Sequence, residues 1–139
     1  MRLAPLEQAC RTLPATWMVV QWRGLHVWKV GPENDSRSKM FAVLSPEGHR
    51  GDASQEQPSA TATLKVRPER EPFLRELDGV GTAPHLKQGG WLMFGPSCPL
   101  TESDIAAYIG ESHALVSAAL TKAGREAAGI AEPGSRIRR

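Results

Sequence analysis

A chain of 139 residues is the length of one domain, and it can bury a core without disulfide or metal staples. With 40% hydrophobic and 23% charged residues the composition excludes wholesale disorder, and a net charge of +2 is slight for a dedicated nucleic-acid module. The two cysteines, Cys10 and Cys98, have no C-x-x-C spacing and so exclude a zinc ribbon, and no basic stretch leads into a long apolar run. A cytoplasmic protein without signal peptide or membrane span is the expectation.

Pro5 followed by Leu6, Ala9, Cys10 and Leu13 predicts a short first helix stopped at Pro14, with Cys10 on its apolar side read as a buried free thiol, the alternative being a disulfide to Cys98 that nothing requires. Residues 16–22, rich in tryptophan and β-branched side chains, predict a strand. Arg23-Gly24 supplies a tight turn into a second strand over 25–30, which places His26, Trp28 and Val30 on one face. A polar loop over 31–38 leads to a third strand over 39–44. Pro46, Gly48, Gly51 and Pro58 then mark a long loop.

A fourth strand is expected over 60–66. Pro68 and Pro72 bracket the start of a short helix ended by Gly79 and Gly81. Residues 85–87 and 91–94, on either side of Gly89-Gly90, predict a hairpin or bulge in the last strand pair. Ile105, Tyr108, Ile109, Ser112, Leu115, Val116, Ala119, Leu120 and Ala123 form one helix face. Thr101 caps that helix with Asp104 at the capping-box position, and Gly124 or Gly129 closes it. Residues 1–131 thus read as a single domain and 132–139 as a basic C-terminal tail. The order of elements points to an α+β fold, an antiparallel sheet of about five strands with helices packed on one face.

Several short motifs in this order resemble the MmcQ/YjbR-like family of small bacterial proteins. They are Leu13-Pro14 after the first helix, Trp22-x-Gly24-x3-Trp28-Lys29-Val30-Gly31, Lys39-Met40-Phe41-Ala42, Leu64-Lys65, Pro84-His85-Leu86 before Trp91, and Ser112-His113-x-Leu115-Val116. The resemblance runs over residues 5–123. It implies a sheet-and-helix fold similar to frataxin homologues, and the family's usual label of a DNA-binding "double wing" protein. Three features depart from the family pattern. Trp17-Met18-Val19-Val20 stands where an acidic position commonly follows the Leu-Pro turn, the loops over 32–38 and 46–58 are longer, and a Ser-Tyr pair is replaced by Ser112-His113.

The residues themselves offer two function classes. Cations on strands and loops can follow a phosphate backbone and make affinity salt-dependent. On that reading Lys39, Lys65, Arg67 and Lys87 contact the phosphates of double-stranded DNA, His85 assists, and the protein is a non-catalytic binder. The competing reading of these cations is a solvated surface, with Glu33, Asp35, Glu69 and Glu71 cancelling the field.

The alternative class is a small-molecule binder. Four tryptophans beside one tyrosine and three phenylalanines favour a pocket for a planar apolar ligand between the first hairpin and the last helix, lined by Trp17, Trp22 and Tyr108. Core burial is the other use of tryptophan, and an adaptor for another protein is a third possibility. No pair among His26, His49, His85 and His113 has zinc spacing, no acidic helical ridge is present for iron, and no nucleophile has a base beside it. No metal, no cofactor and no enzymatic activity are expected.

Overall fold

The computed structural model describes residues 1–46, 59–83, 86 and 89–130. The chain runs α1 (Leu3–Arg11), β1 (Thr16–Gln21), β2 (Leu25–Val30), β3 (Lys39–Pro46), β4 (Ala60–Lys65), α2 (Glu71–Arg75), β5 (Val80–Thr82), β6 (Trp91–Phe94), α3 (Glu102–Ala118) and α4 (Lys122–Ala128). The six strands form one sheet in the order β1-β2-β3-β4-β6-β5, antiparallel throughout. The fold is α+β, with α1 and α3 packed together against one face of the sheet.

Antiparallel partners share a face of the sheet. The rows containing Met18, Trp28, Ala42, Leu64 and Leu92, and His26, Leu44, Ala62 and Phe94, therefore point the same way. That side meets Leu6 and Cys10, one turn apart on α1, and Ile105, Ile109 and Val116 on α3, and together they make the core. Cys10 is a free buried thiol, and its burial pushes the thiol pKa far above the ordinary range. Cys98 is also free.

One irregularity shapes the middle of the sheet. Trp28 pairs with Ala42 but Lys29 pairs with Met40, so Phe41 is an extra residue in β3. Phe41 is fully buried and meets the His113 ring edge-on at 5.1 Å. Past the Ala42–Leu64 pair, β3 and β4 no longer pair. The hydroxyl of Ser112 fills the divergence: it donates to the Phe41 carbonyl at 2.6 Å and accepts from the Lys65 N–H at 3.0 Å. Ser112 is wholly buried, so the two backbone groups are satisfied by a helix side chain instead of by a strand.

Three expectations change. The sheet has six strands rather than about five, because Val80-Gly81-Thr82 pairs with β6. Its central glycine masked the strand in the sequence, and the first half of the expected hairpin, His85 to Lys87, lies largely outside the described residues. The long last helix ends at Ala118, and a separate α4 begins from the Thr121 cap. Gly129, left-handed at φ 75°, closes α4; Gly124 is instead buried within it, and a Cβ there would meet Thr121 Oγ1 at 3.1 Å and Arg37 at 3.4 Å. The loop over 46–58 lies outside the described residues except for its first residue, and the tail over 132–139 lies wholly outside them.

Candidate functional site

The face of the sheet turned away from α1 and α3 carries the row Val19, Val27, Val43, Thr63 and Met93, flanked by Gln21, Leu25, Ser45 and Thr61. A hollow of about 530 Å³ lies on this face. Its lining is Trp22, Leu25, Met40, Val43, Ser45, Thr61, Thr63, Ala83, Leu86 and Met93. Apolar carbon dominates, and the hydroxyls of Ser45 and Thr63 offer hydrogen bonds to a ligand. Among these described lining residues there is no carboxylate, imidazole, amine or thiol.

Trp22 stands at one side of the hollow and is 58% exposed, unusual for so large an apolar side chain. It opens the β1–β2 turn with φ 48°, followed by Arg23 at 65° and Gly24 at 93°. Only the glycine takes the left-handed region freely, whereas each of the two others costs roughly 1–2 kcal/mol there. The consequence is an indole held away from the core at the edge of a concave face.

At the end of the sheet where β3 and β4 diverge lies a second, smaller hollow of about 290 Å³. Lys39, Met40, Lys65, Trp91, Val116 and Ala119 line it. Met40 is common to both hollows, so the two adjoin. Lys65 and Trp91 are cross-strand partners on the open face, and the Lys65 stem runs over Gly90, whose Cβ position is 3.6 Å from its Cγ and Cε. Lys29, in the row with Met40, sits over the Trp17 ring at 5.3 Å.

The structure brings Lys39 and Lys65 together, but it sends Arg67 elsewhere. Strand β4 stops at Lys65, and the Arg67 guanidinium turns to Glu111 at 3.4 Å, a carboxylate that Arg70 also approaches at 3.3 Å. Lys87 and His85 lie outside the described residues. Of the residues expected to line a pocket, Trp22 does so. Trp17 shares that face but bonds Ser38 through its indole N–H at 3.2 Å and is not in the lining. Tyr108 lies across the sheet from the hollow, stacked on Phe94 at 6.0 Å with Arg70 over its ring. The hollow thus does not reach α3, contrary to the expected position.

Leu25, Met40, Val43, Thr61, Thr63 and Met93 were missed as site residues because each reads as an ordinary strand residue. The available signal was alternation. Both faces of β2 and β3 are apolar, which is more than a single covered face requires.

The remaining polar clusters have structural partners. His26 bonds Glu7 across the α1–sheet contact. The His113 Nε2–H donates to the Pro14 carbonyl at 2.8 Å, and desolvation pulls the imidazole pKa down. Glu102 is held at about 2 by the Arg2 side chain and backbone N–H, and Asp35 at about 2 by Arg37, both exposed pairs of little energetic weight. Among the described residues no three His, Cys, Asp or Glu side chains gather in a way that could hold a metal ion. None of the described helices is long and apolar enough to cross a membrane.

A six-stranded antiparallel sheet with helices on one face and an apolar hollow on the other defines the class of the molecule. Residues 11–115 match the model of the YjbR family, and the chain belongs to that family. A crystal structure of a Deinococcus radiodurans protein with domain DUF419 superposes with a TM-score of 0.69 at 25% identity, covering 95% of this chain and 93% of that one. A Pseudomonas syringae protein of solved structure gives 0.60 at 22% identity, covering 84% of this chain and 99% of the other. No curated protein matches the chain.

Proposed function

We propose that this chain is a non-catalytic binding protein that holds a small, flat, apolar molecule in the hollow on the open face of its sheet. The observation that carries this reading is the hollow itself, about 530 Å³ lined almost wholly by carbon, with an exposed and backbone-strained Trp22 beside it. A hollow of that size falls in the range of small-molecule sites, and a strained residue at its edge is the kind of outlier that marks a binding position. The absence of titratable groups among its described lining residues favours binding over acid–base or nucleophilic chemistry. Two free thiols, one of them buried, fit a reducing compartment such as the cytoplasm.

Calorimetric titration with an uncharged probe, naphthalene-2-methanol, tests the reading. At about −0.5 kcal/mol per heavy atom, such a probe binds with a dissociation constant of tens of micromolar. Thr63→Phe, which fills the hollow from its floor, abolishes binding while leaving the fold intact. No heat with the wild-type protein, or unchanged binding by Thr63→Phe, overturns the reading.

A second reading has its own support. Lys39 and Lys65 converge beside Trp91, and neither has a described carboxylate partner, so double-stranded DNA could be contacted at this end of the sheet. Fluorescence anisotropy with a labelled random duplex at two salt concentrations tests it. Binding that weakens steeply with salt, and loses about one unit of slope for each of Lys39→Ala and Lys65→Ala, supports DNA. No binding at low salt removes it.

A further inference from the structure

We propose that the ligand of the open face is a small amphipathic anion, its apolar body in the larger hollow and its carboxylate at Lys39 and Lys65. This proposal rests on the apolar-hollow reading above and adds the chemical class of the ligand. Four observations carry it.

First, Met40 lines both hollows, which puts the lysine-lined space beside the apolar one. Second, the larger hollow has no described charged group, which leaves its polar end to be decided by the neighbour. Third, Lys39 and Lys65 differ from five of the chain's arginines. Arg2, Arg37, Arg67, Arg70 and Arg75 each sit against an acid, whereas neither lysine has an ion pair with any described residue. Two ammonium groups left to water in a hollow beside low-dielectric apolar surface attract an anion more strongly than they would on an open surface.

Fourth, the separation is right for one small molecule. Lys65 is two residues beyond Thr63 on the same strand and the same face, a rise of about 7 Å. A carboxylate on a two-ring body lies about 5 Å from the centre of that body, and the flexible four-carbon stem of Lys65 spans the difference. The convergence has a structural cause in the divergence of β3 and β4 around Ser112. It opens the sheet end so that Lys39, from the strand row facing the helices, and Lys65, from the open face, border one space. Lys29, over Trp17 in the Met40 row, adds a third positive charge to that end.

The test compares two probes with one body. Naphthalene-2-carboxylate and naphthalene-2-methanol are titrated calorimetrically into the full chain at low and high salt. The carboxylate is expected to bind about tenfold tighter at low salt, as two partly exposed ion pairs allow, with the advantage shrinking as salt screens them. In the double variant Lys39→Ala/Lys65→Ala the preference disappears while the affinity for the alcohol stays at the wild-type value. That control also shows the hollow to be folded in the variant. Equal binding of the two probes by the wild type, or a carboxylate preference that survives the double substitution, overturns the anion proposal alone. If neither probe binds, the apolar-hollow reading falls and takes this proposal with it.

Discussion

Replacing Ser112 by alanine removes one oxygen and should be among the most damaging single-atom changes available in this fold. The hydroxyl donates to the Phe41 carbonyl at 2.6 Å and accepts from the Lys65 N–H at 3.0 Å, and the residue is 0% exposed. Both partners lie where β3 and β4 have stopped pairing, so no strand stands ready to take over. A buried backbone group deprived of its partner costs about 1–3 kcal/mol, which puts Ser112→Ala at about 2–4 kcal/mol once partial relaxation is allowed. Against a total stability of about 5–15 kcal/mol that is a large share. For a domain of this size it lowers Tm by about 10 °C.

Ser117, one and a half turns further along α3, is the matched control. Its hydroxyl is also buried but has no hydrogen-bond partner among the described residues, so Ser117→Ala loses nothing and relieves a desolvated group. Urea denaturation of both variants with shared m-values is the assay. A Ser112→Ala variant within 0.5 kcal/mol of the wild type, or a Ser117→Ala variant as damaged as Ser112→Ala, would refute the claim that Ser112 closes the split in the sheet.

His113 supplies a pH dependence with a defined sign. Burial lowers its pKa in the folded state, so the unfolded chain takes up the proton first; its contribution is complete above about pH 6.5 and is lost as pH falls from there toward the lowered folded value. Denaturation at pH 8 and pH 5 should show this loss, and His113→Phe should flatten it; an unchanged slope in the variant would assign the loss to other groups. In the β1–β2 turn, Arg23→Gly removes a left-handed non-glycine residue and should add about 0.5–1 kcal/mol of stability without altering ligand binding. Trp22→Gly relieves the same kind of strain but removes an indole from the hollow, so stability and affinity should move in opposite directions. Unchanged affinity for naphthalene-2-methanol in Trp22→Gly would take Trp22 out of the site.

Much of the framework was legible because it is written in local chemistry. Alternation over 25–30 set the faces of β2, and the structure has His26, Trp28 and Val30 together on the helix-facing side. Thr101 and Asp104 form the expected capping box, each side chain bonding the other's backbone N–H at 3.0 Å. Capping and strand alternation depend on residues a few positions apart, which a one-dimensional reading can see. Val80-Gly81-Thr82 escaped it, since three residues with a glycine carry almost no strand signal until β6 pairs with them.

The candidate site was less legible for a different physical reason. Trp22 was named from the sequence as a pocket residue, but its companions on the open face come from β2, β3, β4 and β6, brought side by side only by the strand order. Charge was equally opaque. Arg67 and Lys65 look equivalent two residues apart, yet one ends against Glu111 and the other at the open end of the sheet. Sequence by itself determined the α+β class, the Thr101 cap and the family, because burial periodicity, capping and short motifs are properties of neighbouring residues. Tertiary structure alone decided where the sheet splits around Ser112, which cations keep their charge unpaired, and that a hollow exists on the uncovered face. Those depend on groups distant in sequence and adjacent in space.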